Sequence, residues 1–229
     1  MKSELKNYPN KLVRSFGRIK SRKLSSNKKD LLENFLTNVL IDFKSIDKFS
    51  KNSAKNILEI GFGFGDFIFN HAHKNPQNNY FGFEPHLNGI VHLLELIKQN
   101  KIKNIHLSSE DIRLKINDFP NDFFHQIYIL FPDPWPKFKH HKRRLITSDF
   151  LDNLLADKLK ISGKIIIASD HQEYQTWILS HILNSKKFNW TAKCPKDWQE
   201  FPDDWTYTKY QKKAEKENRK SIILTLNKK

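Results

Sequence analysis

The stretch that decides the fold is "NILEIGFGFGDF", residues 56–67. Five residues, Asn56 to Ile60, read as a short buried strand. Three glycines follow at alternate positions, 61, 63 and 65. Asp66 and the apolar spacing after it predict a helix to about His73. Glycines between a strand and a helix let backbone approach a ligand where a side chain would collide. The helix N-terminus behind them suits a negative group. Gly61 and Gly63 are therefore candidate ligand-binding positions. A dinucleotide fingerprint needs a glycine at position 66, which is Asp66, and a P-loop needs Gly-Lys-Ser/Thr, which is absent.

Outward from this loop, strand and helix patterns alternate. "YFGFE" (80–84), "NIHLS" (104–108), "HQIYILF" (125–131) and "GKIIIAS" (163–169) read as strands. Helical spacing fills 86–100, about 147–160 with Thr147 as a cap, and 171–184. "FNWTA" (188–192) and "KSIILTL" (220–226) close the chain as strands with no clear helix between them. The expected fold is α/β, Rossmann-like: a mostly parallel sheet with helices on both faces and an antiparallel pair at one edge. Ahead of the first strand, Leu31, Leu32, Phe35, Leu36, Val39, Leu40 and Phe43 form one helical stripe over 30–43, with Asp30 as its cap.

The chain has 229 residues and a net charge of +15. That charge is segregated: +8 over residues 1–30, +4 over 133–144 and +6 over 209–229, with the rest about −3. Segregated positive charge favours a polyanion, nucleic acid first and an anionic membrane surface second. The sequence divides into a basic, flexible arm (1–30) and a single domain (31–229). One cysteine, Cys194, excludes an intrachain disulfide and predicts a reducing compartment. With no signal peptide or membrane-spanning run, the expectation is a cytoplasmic protein. His140 and His141 lack partners at metal spacing, so no metal is expected.

Acids recur at the predicted strand ends. Glu84 lies 23 residues after Gly61, where a carboxylate can accept from both hydroxyls of a ribose. Glu110 or Asp111 closes the third strand, placed for an adenine amine. Glycines and successive acids along one sheet edge suggest a single nucleoside lying across it. The fourth strand runs into "FPDPWPKFKHHKRR" (131–144). Prolines at 132, 134 and 136 restrict the backbone and hold Asp133 in place. Trp135 packs the loop or stacks on a base. Lys137 and the cations after it suit phosphates.

The glycine–acid pattern resembles the class I S-adenosylmethionine-dependent methyltransferases. "LFPDPWPKFKHHKRRLI" further resembles the signature of the bacterial tRNA (guanine-N7)-methyltransferases. "RSFGRIKSRKL", "LEIGFG", "FGFEPHLNGI", "IASDHQEY" and "TKY" are similar to that family's segments in the same order, from about residue 12 onward. The resemblance implies S-adenosyl-L-methionine as cofactor, tRNA as partner, and methyl transfer to N7 of a guanosine in the variable loop, position 46 in tRNA numbering. It implies that Glu59, Glu84, Asp111 and Asp133 contact the cofactor or its immediate site, with Asp133 also catalytic. Lys137, Asp170 and Thr208, Lys209, Tyr210 and Gln211 would contact the substrate. Asp170 has a second reading, as cap of the 171–184 helix. The family's segment normally reads T-K/R-F/Y-E; here its fourth position is Gln211, which has a donor, an acceptor and no charge. The expected oligomeric state is monomer or homodimer.

Overall fold

The computed structural model describes residues 24–51, 53–203 and 205–229. Most of the basic arm expected over 1–30, through residue 23, lies outside them.

Seven strands form one sheet in the order β3-β2-β1-β4-β5-β7-β6. They are β1 (Asn56–Ile60), β2 (Asn79–Phe83), β3 (Ile105–Ser108), β4 (Phe124–Leu130), β5 (Leu159–Ser169), β6 (Phe188–Trp190) and β7 (Ile222–Lys228). β1 pairs in parallel with β2 and β4, β2 with β3, and β4 with β5. β7 runs antiparallel to both β5 and β6. The parallel body and antiparallel edge are as the sequence predicts. The strand order reverses beside β1, between β1 and β4, so their carboxyl ends open a crevice at that point.

Alternation along β1 explains why a strand of nearly unbroken apolar character is needed. Leu58 and Ile60 join one core with Phe81, Ile127, Ile129, Ile165 and Ile167. Ile57 joins the other, with Phe67, Ile68, Ile90, Leu93, Tyr128 and Ile166. Both faces are covered, so every β1 side chain is buried, Glu59 included. The second core is closed by α2 (Asp66–Lys74) and α3 (Leu87–Asn100), the first in part by α5 (Gln172–Leu183).

Several element boundaries differ from expectation. Helix α1 (Ser26–Asp30) begins before Asp30, whose own backbone is helical, so Asp30 is not a cap. The helical path continues in a wider, then a tighter coil to Asn38, and then ends. Val39 to Ile41 instead run alongside β3: Leu40 forms a parallel bridge with Leu107, and Ile41 N–H donates to the Leu107 carbonyl at 3.0 Å. Tertiary pairing with an open sheet edge overrides the helical stripe. Thr147 does cap, accepting from Phe150 N–H at 3.1 Å, but the helix it starts gives way before Lys160, which belongs to β5. Between β6 and β7 lie two helices the sequence reading lacked, α6 (Lys196–Gln199) and α7 (Lys209–Lys216). Thr208-x-x-Gln211 was the available signal for α7: a threonine cap followed three residues later by Gln. Short α4 (Ile112–Lys115) follows β3.

Candidate active site

The glycine loop turns over the end of β1 with positive φ at 61, 63 and 65. Gly61 (φ +74) has nothing within 4 Å of where a Cβ would stand, so its face is open to a ligand. The opposite holds at Gly89, the third residue of α3. A Cβ there would stand 2.0 Å from the Gly63 carbonyl oxygen, so the loop and α3 touch backbone to backbone. This close approach fixes the height of the loop above the sheet.

Glu84, just past β2, fixes it from the other side. Its two carboxylate oxygens accept from Gly63 N–H and His86 N–H, each at 2.8 Å. The side chain is 8% exposed. Burial raises its pKa; the two backbone N–H groups oppose that rise, and the charge of Asp133 adds to it.

Glu59 is deeper, 3% exposed, and its Oε2 has no hydrogen-bond partner. Burial pushes its carboxyl up to about 8, against the Ile68 N–H, with Glu84 nearby adding to the rise. Glu59 borders a hollow with Gly61, Phe64, Leu130, Lys209 and Tyr210. A buried carboxyl with an unpartnered oxygen beside a hollow is a site for a cationic or proton-donating group.

Asp133 enters from β4. Phe131 turns the chain with φ +52 while its N–H donates to the Ala168 carbonyl at 2.8 Å; Trp135 has φ +42. Left-handed backbone at bulky residues costs roughly 1–3 kcal/mol each and persists only where surroundings impose it. Here Arg144 imposes it. Its Nε donates to the Pro134 carbonyl at 2.8 Å and its Nη2 to Glu173 Oε1 at 2.8 Å, while its guanidinium lies over Trp177 and Tyr174. Arg144 is 4% exposed. It is therefore a staple of the loop and not one of the phosphate-gripping cations expected after Lys137. Trp135 packs within the loop, under the Arg143 guanidinium at 4.9 Å and edge-on to His140. Asp133 is exposed at the tip of β4, and partial desolvation raises its pKa.

The segment Thr208–Gln211 divides by burial. Thr208 caps α7, its hydroxyl accepting from Gln211 N–H at 3.2 Å. Gln211 is 1% exposed, and its Oε1 accepts from the Trp205 indole at 2.8 Å. Both side chains are buried, and Thr208 also lines the hollow beside Glu59. Trp205 itself packs on Phe67 and Phe201. Lys209 and Tyr210 are exposed. Lys209 Nζ lies 4.0 Å from the Phe64 ring centre. The Tyr210 ring stands against Gly63, and the charges of Glu84 and Asp133, after burial, raise its hydroxyl pKa. Glu59, Glu84, Asp133, Gly61, Gly63, Lys209 and Tyr210 thus share one crevice.

Two predicted acids stand differently. Asp111 caps α4 and is gripped by Arg113, Nε to Oδ1 at 2.9 Å and Nη2 to Oδ2 at 2.6 Å. Glu110, the other candidate at this tip, sits 3.6 Å from Lys115. Asp170 is held by Arg219, with Nε at 2.8 Å and Nη2 at 2.7 Å from Oδ2. His171, not Asp170, occupies the cap position of α5. Lys137 is exposed at the start of the loop's tight helical turn. Among the described residues, no three His, Cys, Asp or Glu side chains converge as metal ligands, and no helix is long and apolar enough to cross a membrane.

Residues 53–224 match the family model described as "Putative methyltransferase". A tRNA (guanine-N(7)-)-methyltransferase of Agrobacterium fabrum is 35% identical over 216 residues, covering 92% of this chain and 93% of that one. One from Wolbachia pipientis is 42% identical over 177 residues, covering 77% and 76%. A bifunctional methyltransferase of Rickettsia typhi is 36% identical over 218 residues, 95% of this chain and 41% of that protein. Among solved structures, the 16S rRNA methyltransferase KamB superposes with a TM-score of 0.56 at 10% identity, over 82% of this chain and 94% of that one, a likeness of fold.

Proposed function

The chain belongs to the tRNA (guanine-N(7)-)-methyltransferase family, and from that premise we propose that it methylates N7 of the guanosine in the tRNA variable loop, position 46 in tRNA numbering, using S-adenosyl-L-methionine. The observation that carries this reading is the meeting of three uncompensated acids, Glu59, Glu84 and Asp133, around an open glycine bend.

The residues fit the cofactor. It bears an ammonium group, ribose hydroxyls and a sulfonium, and the crevice offers an unpartnered buried carboxyl at Glu59, a pinned carboxylate at Glu84 and a bare backbone face at Gly61. When bound, the cofactor supplies an activated methyl group. Glu59 and Glu84 would hold its two ends, and Gly61 would let it lie close to the backbone. Asp111 would contribute to the adenine end while still shared with Arg113.

Guanine N7 has an in-plane lone pair, so its attack needs no base. The product ring is cationic. The protein must therefore orient the purine and stabilise growing positive charge. Asp133 would serve both, and its position at the tip of β4, where Arg144 holds the neighbouring Pro134 carbonyl, supports that reading. It acts through position and charge. Asp170 would serve guanine only while shared with Arg219. Lys209 and Tyr210 flank the crevice mouth, and Lys137 begins the basic run that meets phosphate.

Incubation with labelled cofactor and an unmodified tRNA transcript, followed by strand cleavage specific for N7-methylguanosine, tests the proposal. Cleavage at the variable-loop guanosine is expected. Label elsewhere in the tRNA overturns the position, and absence of label in any tRNA overturns the activity.

A further inference from the structure

We propose that Phe138 is a stacking platform for an unpaired base of the RNA next to the target nucleotide; this rests on the tRNA reading above. Phe138 is 87% exposed, the most exposed of the large hydrophobic side chains on the described surface. A phenyl ring left in water this fully gives up most of its burial energy, so its place needs a reason. Its surroundings supply one. Lys137, Lys139 and Lys142 flank it on the tight turn Phe138–Arg143, so any partner that covers the ring also meets a cationic field. An apolar protein partner or a lipid tail gains little from that field, whereas a nucleobase carries its phosphate with it.

The ring is also positioned for the task. It meets His141 in a T-shaped contact, 5.3 Å between centres, and still leaves most of its surface to solvent. His141 in turn rests on Trp177, and Trp177 packs under the Arg144 guanidinium. Arg144 is the same residue that fixes the Pro134 carbonyl, one residue from Asp133. The platform and the candidate catalytic acid are thus braced by one buried side chain, and a base held on Phe138 has a fixed offset from the acid. Trp135, the aromatic that the sequence offers first for stacking, is engaged inside the loop by Arg143 and His140. Phe138 is the ring left facing outward.

The test compares wild type with Phe138→Ala, Phe138→Leu and Phe138→Trp, on an unmodified tRNA transcript and on a fully paired RNA duplex of matching charge. Because Phe138 is exposed, all three variants should melt as wild type does. On tRNA, Phe138→Ala should weaken binding and raise KM by about five- to 150-fold, with kcat at saturating tRNA and cofactor affinity retained. Phe138→Trp should restore affinity, and Phe138→Leu, which keeps bulk without a π face, should not. The salt dependence of binding should stay the same, since no charge is lost. On duplex, all four proteins should bind alike. Equal tRNA affinity of Phe138→Ala and wild type, rescue by leucine as good as by tryptophan, or an equal loss on duplex would each overturn the inference while leaving the methyltransferase reading intact. Failure of wild type to bind the transcript at all would overturn both.

Discussion

The acids along the carboxyl edge of the sheet look alike in the sequence, yet the structure treats them in two ways. Near the ends of β1, β2 and β4, Glu59, Glu84 and Asp133 have no cationic partner among the described residues, and burial raises the pKa of all three. After β3 and β5, Asp111 and Asp170 are each gripped by an arginine fork. The first group holds unsatisfied electrostatic potential in a crevice, which is where a ligand can gain binding energy. The second already has a counter-charge, so a ligand gains less by meeting it. Position at a strand tip therefore does not define a site; the absence of an internal counter-charge does.

That contrast can be broken most forcefully at Asp133. Asp133→Ala should reduce turnover by about 10²–10³-fold, the usual scale for losing one preorganised electrostatic contact. tRNA affinity should stay nearly unchanged. Parallel losses in turnover and binding, measured by single-turnover kinetics and filter binding, would place Asp133 with the structural acids instead.

Glu59 offers a sharper test because its charge is costly in the folded protein. Its carboxyl titrates near 8 when folded and near its ordinary 4.5 when unfolded, so the folded chain keeps the proton longer. Glu59 therefore contributes to stability fully below about 4.5, and that contribution is lost as pH rises through 8. Glu59→Gln should flatten the decline in melting temperature over this window and weaken cofactor binding at least tenfold. In wild type, binding of a cationic ligand should tighten as pH rises through the Glu59 transition. An unchanged pH profile of stability in the variant would show that Glu59 is not the buried proton holder.

Smaller effects belong to the supporting contacts. Gln211→Leu removes the acceptor of the half-buried Trp205 indole N–H and should cost about 1 kcal/mol in chemical denaturation. No loss would mean that Trp205 finds another acceptor. Arg219→Ala releases Asp170 from a half-exposed pair and should cost only about 1 kcal/mol, or ~2–4 °C in melting temperature for a chain of this size. A loss several times greater would show Asp170 to be as costly unpaired as Glu59.

Much of this was legible beforehand, for reasons the same contrast explains. The strands of the parallel body are apolar runs bounded by turns, and β1 fell where the sequence put it because both its faces are buried. The glycine bend was legible because positive φ at three alternate positions requires glycine. The pairing of Asp111 with Arg113 spans two residues and could have been read; that of Asp170 with Arg219 spans forty-nine and could not. Arg144 looked like one more cation in a basic run, because burial of a guanidinium over Trp177 and Tyr174 depends on a helix that starts 28 residues later. Helix α7 is not legible in the sequence because its polar composition hides the cap that Thr208 provides to Gln211 N–H.

The central claim is that unpaired acids around the glycine bend, and not strand-tip acids in general, make the cofactor site. Calorimetric titration of S-adenosylmethionine into wild type, Glu84→Ala and Asp170→Asn tests it most directly. Wild type and Asp170→Asn should bind with similar affinity, and Glu84→Ala should lose binding. Affinity that survives in Glu84→Ala, or that falls equally in both variants, would contradict the account.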